Sequence, residues 1–465
     1  MSAAQQPEGS IIDRMLVEIL GEHPSTDVSV VGAGSLPSVF PVNELATASI
    51  AAAGVAVQEY RVAAGADSGR VTVDRRLASM WFASSLRPVG WQVPPPWDAL
   101  AGDYRTADGW IRLHTNAPHH RDAALAVLNT PAEREQVSAA TAGWAGAELE
   151  ATIIAAGGCA ATMQTMEQWD RSEPGRVVAA EPLIRRETGV AVPGERRRAL
   201  AERVLAEPRR PLAGIRVLDL TRVLAGPVAT RFLAQLGATV LRIDPPWWDE
   251  PGVVPEVMLG KRSAGLDLRE PAARERFASL LAEADILVHG YRPGALDGLG
   301  LGEAVRAQLN PGLIDVNLDA YGWAGPWVGR RGFDSLVQMS TGIADAGMRI
   351  QGTGRPTPLP VQALDHATGY LMALAAIRAL TTRMRTGRAG RARLSLARTA
   401  RMLTSFGTQQ PGTPLGAEDE RDCAPAIERT SWGPARRLVP PLSVPGTDIR
   451  ADLPARTLGG NTASW

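Results

Sequence analysis

Short apolar runs alternate with helical patterns through the second half of this 465-residue chain, and this alternation most restricts its fold. Each run has five or six residues and leads into a polar or glycine-containing loop, as a buried strand does. Pro227 begins a helix after the first run, and Gly237 ends it. This order of strands and helices predicts a parallel sheet. The runs are at 215–220, 238–243, 285–289 and 313–317.

A parallel sheet of this Rossmann-like kind binds ligands beyond the carboxyl ends of its strands. We therefore expect a ligand at the loops 221–226, 289–294 and 320–325. The predicted class is α/β, with a Rossmann-like parallel-sheet domain and a second, smaller α/β domain. The predicted parts are residues 1–93 (helices and a strand), 94–200 (the smaller domain), 211–406 (the larger domain) and 407–465 (an extended, proline-rich tail).

The charge balance restricts the partners of the chain. Lysine plus arginine (49) equals aspartate plus glutamate (49), so we expect no attraction to nucleic acid or to an anionic membrane. Two cysteines, Cys159 and Cys423, stand far apart in the sequence, which argues against a disulfide framework or a structural zinc site. The sequence contains no run of about 18 apolar residues, and it begins without a basic, then apolar, leader. These features predict a soluble, cytoplasmic protein.

The first part of the chain contains an incomplete dinucleotide-binding pattern. A helix with its apolar residues at helical spacing is expected over 10–20, ending at Gly21. A strand at 27–31 then leads into Gly32-Ala-Gly34, as in a nucleotide fingerprint, but Pro37 stands where the third glycine belongs. We interpret this stretch as a turn.

An alanine-rich segment occurs twice in the chain. Residues 46–58 align without a gap on 367–379, and at the same offset Gly69-Arg-Val-Thr-Val falls on Gly390-Arg-Ala-Arg-Leu. Each copy reads as a helix, a turn and a strand. Similar composition alone is the alternative explanation, because alanine-rich helices resemble one another.

Two further stretches are rich in polar residues. The histidines His114, His119 and His120 lack a carboxylate or cysteine at ligand spacing, so a solvated loop is favoured over a metal site. Residues 184–210 hold eight arginines among glutamate and proline, which is typical of an exposed linker. We expect the domain boundary there.

Residues 331–342, RGFDSLVQMSTG, place one carboxylate, Asp334, between a glycine and an apolar helical run. Gly332 and Gly342 bracket the segment and would let the backbone approach a ligand closely. A carboxylate there is a candidate nucleophile. The alternative is a helix cap, because aspartate is a favoured residue at that position.

Five strings in characteristic order resemble the class III CoA-transferase family, which includes formyl-CoA and carnitine CoA-transferases and the 2-methylacyl-CoA racemases. The resemblance covers about residues 211–400. It implies that Asp334 forms a covalent intermediate with acyl-CoA, that a carboxylic acid is the acceptor, and that no metal takes part. The strings are PLAGIRVLDLTRVLAGPVATRFLAQLGATVLRID, GKRSAGLDLR, ADILVHGYRPGALDGLGL, NPGLIDVNLDAYGWAGP and GFDSLVQMSTG.

The resemblance also implies how coenzyme A is held. Cations are needed for its phosphates and apolar walls for its adenine and pantetheine. The residues in the matching motifs are Arg222, Lys261, Arg262 and Arg292 for the phosphates, and Val223, Ala225, Tyr291 and Tyr321 for the groove.

The chain departs from the family pattern in three places. The family's arginine after the second strand is missing from 244–252, and Gly298 stands where many members have a cation. Phe333 precedes Asp334, where the racemase branch has histidine, which favours acyl transfer. The predicted function is CoA transfer between an acyl-CoA and a carboxylic acid. An acyl-CoA racemase and a non-catalytic CoA-binding protein are the alternatives.

The segments 46–86 and about 95–200 resemble the second half of a family member placed in front. Residues 144–156, followed by the string GGCAATMQTMEQW, are similar to the end of the family's small domain. The chain would then be a permuted or partly fused version of the family. It carries one GFD motif, which predicts one active site per chain. Because the resemblance implies paired subunits, we expect a homodimer.

Overall fold

The computed structural model describes residues 9–191, 194–410 and 412–465, with the backbone alone for 194–198. The first six elements are α1 (Ile11–Leu20), β1 (Val28–Val31), α2 (Val42–Ala63), β2 (Val71–Asp74), α3 (Arg75–Ala83) and β3 (Leu86–Pro88). The next eight are β4 (Gly102–Arg105), β5 (Trp110–Leu113), α4 (Pro118–Leu128), α5 (Arg134–Thr141), α6 (Gly146–Ala155), β6 (Ala160–Thr162), α7 (Met166–Arg171) and α8 (Glu173–Ala180).

Strands and helices alternate through most of the remaining chain. They are β7 (Arg185–Ala191), α9 (Gly194–Ala206), β8 (Arg216–Leu220), α10 (Ala225–Gln235), β9 (Thr239–Asp244), α11 (Val254–Val257), β10 (Arg262–Gly265), α12 (Pro271–Glu283), β11 (Ile286–His289), α13 (Glu303–Leu309), β12 (Ile314–Asp319), α14 (Asp334–Ser340), α15 (Ile343–Gln351), α16 (Ala363–Thr386), β13 (Arg388–Ser395) and α17 (Leu396–Ser405). The tail adds β14 (Glu428–Thr430), β15 (Gly433–Arg437) and β16 (Leu442–Ser443). Short 3₁₀ helices lie at Asp297–Leu299 and Glu420–Asp422.

Seven strands form one sheet, in the order β10-β9-β8-β11-β12-β13-β7. Six of them are parallel, and β7 runs antiparallel at one edge. Numbered along the chain, the parallel strands lie in the order 3-2-1-4-5-6 of a doubly wound fold. Strand β11 is buried at every residue, as expected for a strand covered on both faces. The α/β class and the parallel sheet predicted from the alternating runs are confirmed.

A second, smaller unit lies before this sheet in the chain. Strands β4, β5 and β6 form an antiparallel sheet. Its core joins Ile111 and Leu113 of β5 to Leu149 and Ile153 of α6. The alternating burial along β5 leaves one face for these helices. This agrees with the smaller α/β domain expected in this region.

The boundaries of the repeated elements follow the alignment of 46–58 on 367–379. By that offset the start of α2 falls on the start of α16, and the start of α3 falls on the start of α17. Asp74 accepts a hydrogen bond from Leu77 N–H at 2.9 Å, and Ser395 accepts one from Arg398 N–H at 3.2 Å. These caps occupy corresponding positions in the two copies. Helices α2 and α16 pack against each other and are buried along most of their length, which their small alanine side chains permit.

The arginine-rich run at 184–210 is not an exposed linker, as the sequence predicted, but forms β7 and α9. Its charges stabilise the edge of the large sheet. Glu187 of β7 lies 3.0 Å from Arg391 and 3.5 Å from Arg393 of the neighbouring strand β13. Cross-strand pairs of opposite charge favour pairing, so a charged sequence here makes a strand. The side chains of Arg196, Arg197 and Arg198 lie outside the described residues.

Strands of the tail pair with strands from the first part of the chain. Strand β15 pairs with β3, and β16 pairs with β2. Trp432 stacks on Trp91 of the same chain, with ring centroids 6.4 Å apart. The indole N–H of Trp465 donates to the Leu280 carbonyl at 3.1 Å.

None of the helices among the described residues has the length and hydrophobicity to cross a lipid bilayer.

Candidate active site

A cavity of about 1040 Å³ opens beyond the carboxyl ends of β8 and β9. Its walls come from three parts of the chain: residues 95–122 of the smaller unit, the strand ends and loops of the large sheet, and the starts of α14 and α16. It therefore lies where a doubly wound sheet binds ligands. Asp334, Arg222, Val223 and Tyr291, four of the predicted site residues, line it.

Asp334 is the first residue of α14, and its side chain lies at the bottom of the cavity. It is 1% exposed. The Asp365 N–H donates to Asp334 Oδ2 at 2.9 Å, and the Gln338 side-chain amide donates to Oδ1. Gln338 is held in this orientation because its own oxygen accepts the Leu359 N–H at 2.7 Å. Both carboxylate oxygens are thus fixed by protein donors.

The helix-cap interpretation of Asp334 is wrong. Phe333 occupies the cap position of α14 in an extended conformation, and the Asp334 side chain does not cap its own helix. Instead its carboxylate receives an N–H from the first turn of α16. The unpaired N–H groups at a helix start favour a negative charge there.

Asp365 forms a carboxyl pair with Asp334, and the sequence did not single it out. Burial raises the pKa of Asp334 to about 6, although the Asp365 N–H and the Gln338 amide lower it. Burial and the neighbouring Asp334 raise the pKa of Asp365 well above its usual range. The two carboxyl groups therefore titrate as an interacting pair, and burial raises the pKa of each above its usual range. A carboxylate that begins an apolar helix was the sequence signal for Asp365.

Gly332 and Gly342 serve packing rather than approach to a ligand. A Cβ on Gly332 would lie 2.6 Å from the Tyr321 ring. Gly342 has a φ of +82°, and a Cβ there would lie 2.2 Å from the backbone nitrogen of Met166. Each glycine lets the Asp334 segment pack closely against another part of the protein.

Aromatic rings and arginines line the side of the cavity next to the large sheet. The Arg222 guanidinium lies 4.1 Å from the centre of the Trp248 ring and 5.7 Å from that of Tyr291. The Arg269 guanidinium lies 4.4 Å from the centre of the Trp247 ring, and Trp247 is 58% exposed. Such stacked pairs hold both the cation and the ring in place. Trp247 and Trp248 belong to the segment 244–252, which lacks the expected arginine, and Arg269 follows β10.

Val223 has a left-handed backbone conformation, with φ of +63°, next to Arg222. A β-branched residue rarely adopts this conformation, so its surroundings must hold it there. The Val223 N–H donates to Glu250 at 2.8 Å, and Arg242 holds the other Glu250 oxygen at 2.8 Å. The strained turn thereby fixes the cavity wall between β8 and α10.

Lys261 does not line the cavity, contrary to its predicted role. Its ammonium is fully buried and donates to Asp219 (3.0 Å), the Pro227 carbonyl (2.8 Å) and Thr230 (2.6 Å). The three donors of the ammonium are all used inside the protein. Burial lowers the pKa of Lys261 to about 8. Burial alone would raise the pKa of Asp219, but Lys261 and Arg242 hold it below its usual range. Lys261 joins β8 to α10.

Four other predicted residues also lie outside the cavity wall. Tyr321 is buried, with its hydroxyl 3.1 Å from that of Ser340. Arg292 donates to the Gly329 carbonyl at 3.4 Å. The remaining two, Ala225 and Arg262, begin α10 and β10. Motif membership therefore does not by itself bring a side chain to the cavity.

Two histidines lie beside Asp334 rather than in a solvated loop. The His114 ring stacks on Phe333 at 3.6 Å between centroids, and the His120 ring meets Phe333 at 6.0 Å. Burial lowers the pKa of each to about 3, so both are neutral at physiological pH. His119 is exposed. The described part of the chain holds no group of three or more histidine, cysteine or acidic side chains placed to bind a metal.

Residues 212–430 match the family model described as CoA-transferase family III. The chain is 35% identical over 202 residues to a probable fatty acyl-CoA transferase of Mycobacterium tuberculosis, covering 39% of this chain and 49% of the relative. It is 34% identical over 194 residues to succinyl-CoA:glutarate CoA-transferase of Mus musculus, covering 38% and 44%.

The crystal structure of Rv3272 from M. tuberculosis is 32% identical in sequence to this chain, with a TM-score of 0.38. The match spans 42% of this chain and 58% of the Rv3272 chain. The chain spans about half the length of the curated relatives it matches. The family resemblance read from the five strings is confirmed for this segment. Residues 212–430 of this chain are therefore similar to CoA-transferase family III.

Proposed function

We propose that this protein transfers coenzyme A between an acyl-CoA thioester and a carboxylic acid, with Asp334 as the nucleophile. One observation carries the proposal: a buried carboxylate, held by two protein donors, faces a cavity large enough for a thioester. An Asp334 oxygen attacks the thioester carbonyl to form a mixed anhydride and releases the CoA thiolate. The thiolate attacks the aspartyl carbonyl, giving an aspartyl-CoA thioester and the free acid. An acceptor carboxylate reverses these steps.

The Asp334–Asp365 pair suits both halves of this cycle. Asp334 is largely ionised at neutral pH and so is ready to attack. When the thiolate attacks the aspartyl carbonyl, negative charge develops on an Asp334 oxygen. The Asp365 N–H and the Gln338 amide already point at those oxygens and would stabilise that charge.

The rings and arginines on the large-sheet side suit the nucleotide end of coenzyme A. Arg222 and Arg269 supply charge for phosphates, and Trp247 and Trp248 supply flat surfaces for adenine or pantetheine. The names of the relatives cover fatty acyl, succinyl and glutaryl groups, so they leave the acyl group open.

Racemisation of an acyl-CoA is the second candidate. It requires two acid–base groups at the α-carbon, and Asp334 with Asp365 could supply them. His114 is a poor second base, because its pKa is near 3 and its buried Nδ1 has no hydrogen-bond partner. We therefore favour transfer.

Trapping the intermediate tests the proposal. The purified protein is incubated with acyl-CoAs, treated with hydroxylamine or borohydride and digested with trypsin. The peptide 332–349 carries Asp334 together with Asp345, a buried aspartate outside the cavity wall, so fragment ions distinguish the two. We expect a hydroxamate or a reduced residue at Asp334 alone. Incorporation of α-deuterium without an adduct would favour the racemase, and CoA binding with neither signal would favour a non-catalytic protein.

We expect the pH dependence of adduct formation to report the carboxyl pair. The rate should rise as the pH passes through about 6, where Asp334 ionises, and fall at higher pH, where Asp365 loses its proton and the pair repels a second charge. The variant Asp365→Asn should keep the rise and lose the fall. Stopped-flow or quenched trapping between acid and alkaline pH measures both the rise and the fall of the rate. If the rate of the variant still fell at alkaline pH, that fall would belong to a group other than Asp365.

We also expect Arg269→Ala and Trp247→Ala to weaken the binding of free CoA by about 5- to 10-fold each, through loss of a charged contact and of a stacking surface. Isothermal titration measures the dissociation constants. Arg421→Ala is the matched control, because Arg421 pairs with Asp419 at 2.9 Å just as Arg269 pairs with Asp267. Equal losses in the control and in Arg269→Ala would remove Arg269 from the site.

The homodimer, the cytoplasmic location and the domain boundaries remain predictions from the sequence. Sedimentation of the purified chain checks the first of these.

A further inference from the structure

The two ends of the cavity differ in charge and in polarity. Arg222 and Arg269, the two arginines among its lining residues, lie on the side of the large sheet. Across from them, the described residues 95–122 contribute no lysine or arginine to the wall. A phosphate-bearing ligand would therefore bind with its anionic end toward the large sheet and its other end toward the smaller unit.

The wall of the smaller unit borders the segment that carries Asp334. His114 stacks on Phe333 at 3.6 Å, and the Trp97 ring meets the edge of His114 at 5.8 Å. The reacting acyl group would thus lie against aromatic rings. Neutral His114 adds no charge to this wall. The other lining residues of the wall without charge include Pro95, Pro96, Ala117 and Pro118.

The charged groups of this wall are acidic. Asp98 and Asp122 line the cavity, and Arg121 lies within 3.5 Å of the first and 3.7 Å of the second without lining it. Arg112 lies behind Trp97, 5.2 Å from its ring centre, and pairs with Asp103 at 2.7 Å. A second carboxylate on the acyl group would meet no lysine or arginine among the described lining residues of this wall, because Arg112, which lowers the pKa of Asp334, lies behind Trp97.

The charge balance at the acyl end points the same way. Among the described lining residues there, Asp98, Asp122, Asp334 and Asp365 are acidic, and none is a lysine or arginine. The two arginines on the side of the large sheet already lie near carboxylates, Arg222 at 3.6 Å from Asp244 and Arg269 at 2.9 Å from Asp267. Like charges confined together in a site of low dielectric constant repel strongly, and an anion left unpaired there also loses its hydration.

We propose that the acyl end of this cavity selects uncharged, apolar acyl groups, aliphatic or aromatic, and rejects acyl groups that carry a second carboxylate. The inference rests on the proposed function, since it assigns the substrate class of the same site. It makes the wall at 95–122 the element that determines specificity.

Pentanoyl-CoA and glutaryl-CoA form a matched pair of probes, because their acyl chains have the same five carbons and differ in a terminal carboxylate. We expect the covalent adduct at Asp334 to form at least about 100-fold faster from pentanoyl-CoA, because the distal anion finds no partner. Rates within about threefold of each other, or faster reaction of glutaryl-CoA, would overturn the inference and leave the transferase mechanism intact.

Failure of the mechanism gives a separate result. If neither thioester forms an adduct, the proposed function fails, and titration of both thioesters still tests selectivity by binding. Binding of pentanoyl-CoA at least about tenfold tighter than glutaryl-CoA would support the charge argument. Equal affinities would contradict it.

A cation added to the wall should change the ratio. The variant His119→Lys places an ammonium at a lining position and should narrow the pentanoyl-to-glutaryl rate ratio by about tenfold or more. Ala139→Lys adds the same charge to an exposed position of α5, outside the cavity, and should leave the ratio unchanged. An equal change in the two variants would show that total charge, and not the wall, sets the preference.

Discussion

Replacing Asp334 by asparagine should lower turnover by roughly 1,000-fold or more, because a carboxamide cannot form the anhydride while the other contacts of the site remain. The side chain keeps its size, and its oxygen can still accept the Asp365 N–H that Asp334 Oδ2 now accepts at 2.9 Å. The loss should therefore appear in kcat more than in KM. Steady-state kinetics with an acyl-CoA and an acceptor acid measure the two constants.

Asp345→Asn is the matched control for this variant. Asp345 is also a buried aspartate, eleven positions further on, and its carboxylate pairs with Arg349 at 2.6 Å outside the cavity. The turnover of Asp345→Asn should stay within about threefold of that of the parent protein, because the substitution removes only a helical ion pair that lies away from the reacting atoms. Turnover within tenfold of normal in Asp334→Asn would mean that another group is the nucleophile.

Lys261→Met should destabilise the protein by about 3–5 kcal/mol, because it leaves the Asp219 carboxylate buried without its main countercharge. Lys261 and Asp219 are both completely buried, 3.0 Å apart. The hydroxyls of Thr221 and Thr230 also donate to Asp219 but carry no charge. Urea unfolding followed by circular dichroism measures the change.

The double variant Asp219→Asn/Lys261→Met separates charge from packing. Removing both charges leaves no unpaired ion, so the double variant should lose less stability than Lys261→Met alone. Arg421→Met, which breaks an ion pair whose arginine is 91% exposed, should cost less than about 1 kcal/mol. If the double variant lost more unfolding free energy than Lys261→Met and Asp219→Asn lose in total, the stability of this site would depend on packing.

The sequence was enough to predict the large sheet and its ligand-binding edge. Buried parallel strands are continuous apolar runs, and Pro227 in the first turn of α10 and Gly237 after its end mark the helix between the first two. It also singled out Asp334, because that aspartate stands in a string similar to one family. Both signals are local in sequence, and the sheet order then follows from general rules of chain connection.

Contacts between distant parts of the chain were beyond the reach of the sequence. Asp365 acquires its role from lying against Asp334, 31 residues earlier, whereas its own segment shows only an acidic residue in the first turn of an apolar helix. Lys261 was expected to bind phosphates, but its ammonium instead pairs with Asp219, 42 residues away. The run at 184–210 was read as a linker because the arginines of β13 that pair with its Glu187 lie far along the chain. In each case tertiary pairing overrides what a short window of sequence indicates.

Lys261 is the single lysine among the 465 residues, and its nitrogen is inaccessible in the folded chain. Amine-selective reagents therefore find no ε-amino group on the surface. Modification of Lys261 requires the contact between β8 and α10 to open, so its rate under native conditions measures the free energy of that local opening. Mass spectrometry of Lys261 modification thus reports local opening of the structure beneath the ligand cavity, without any engineered label.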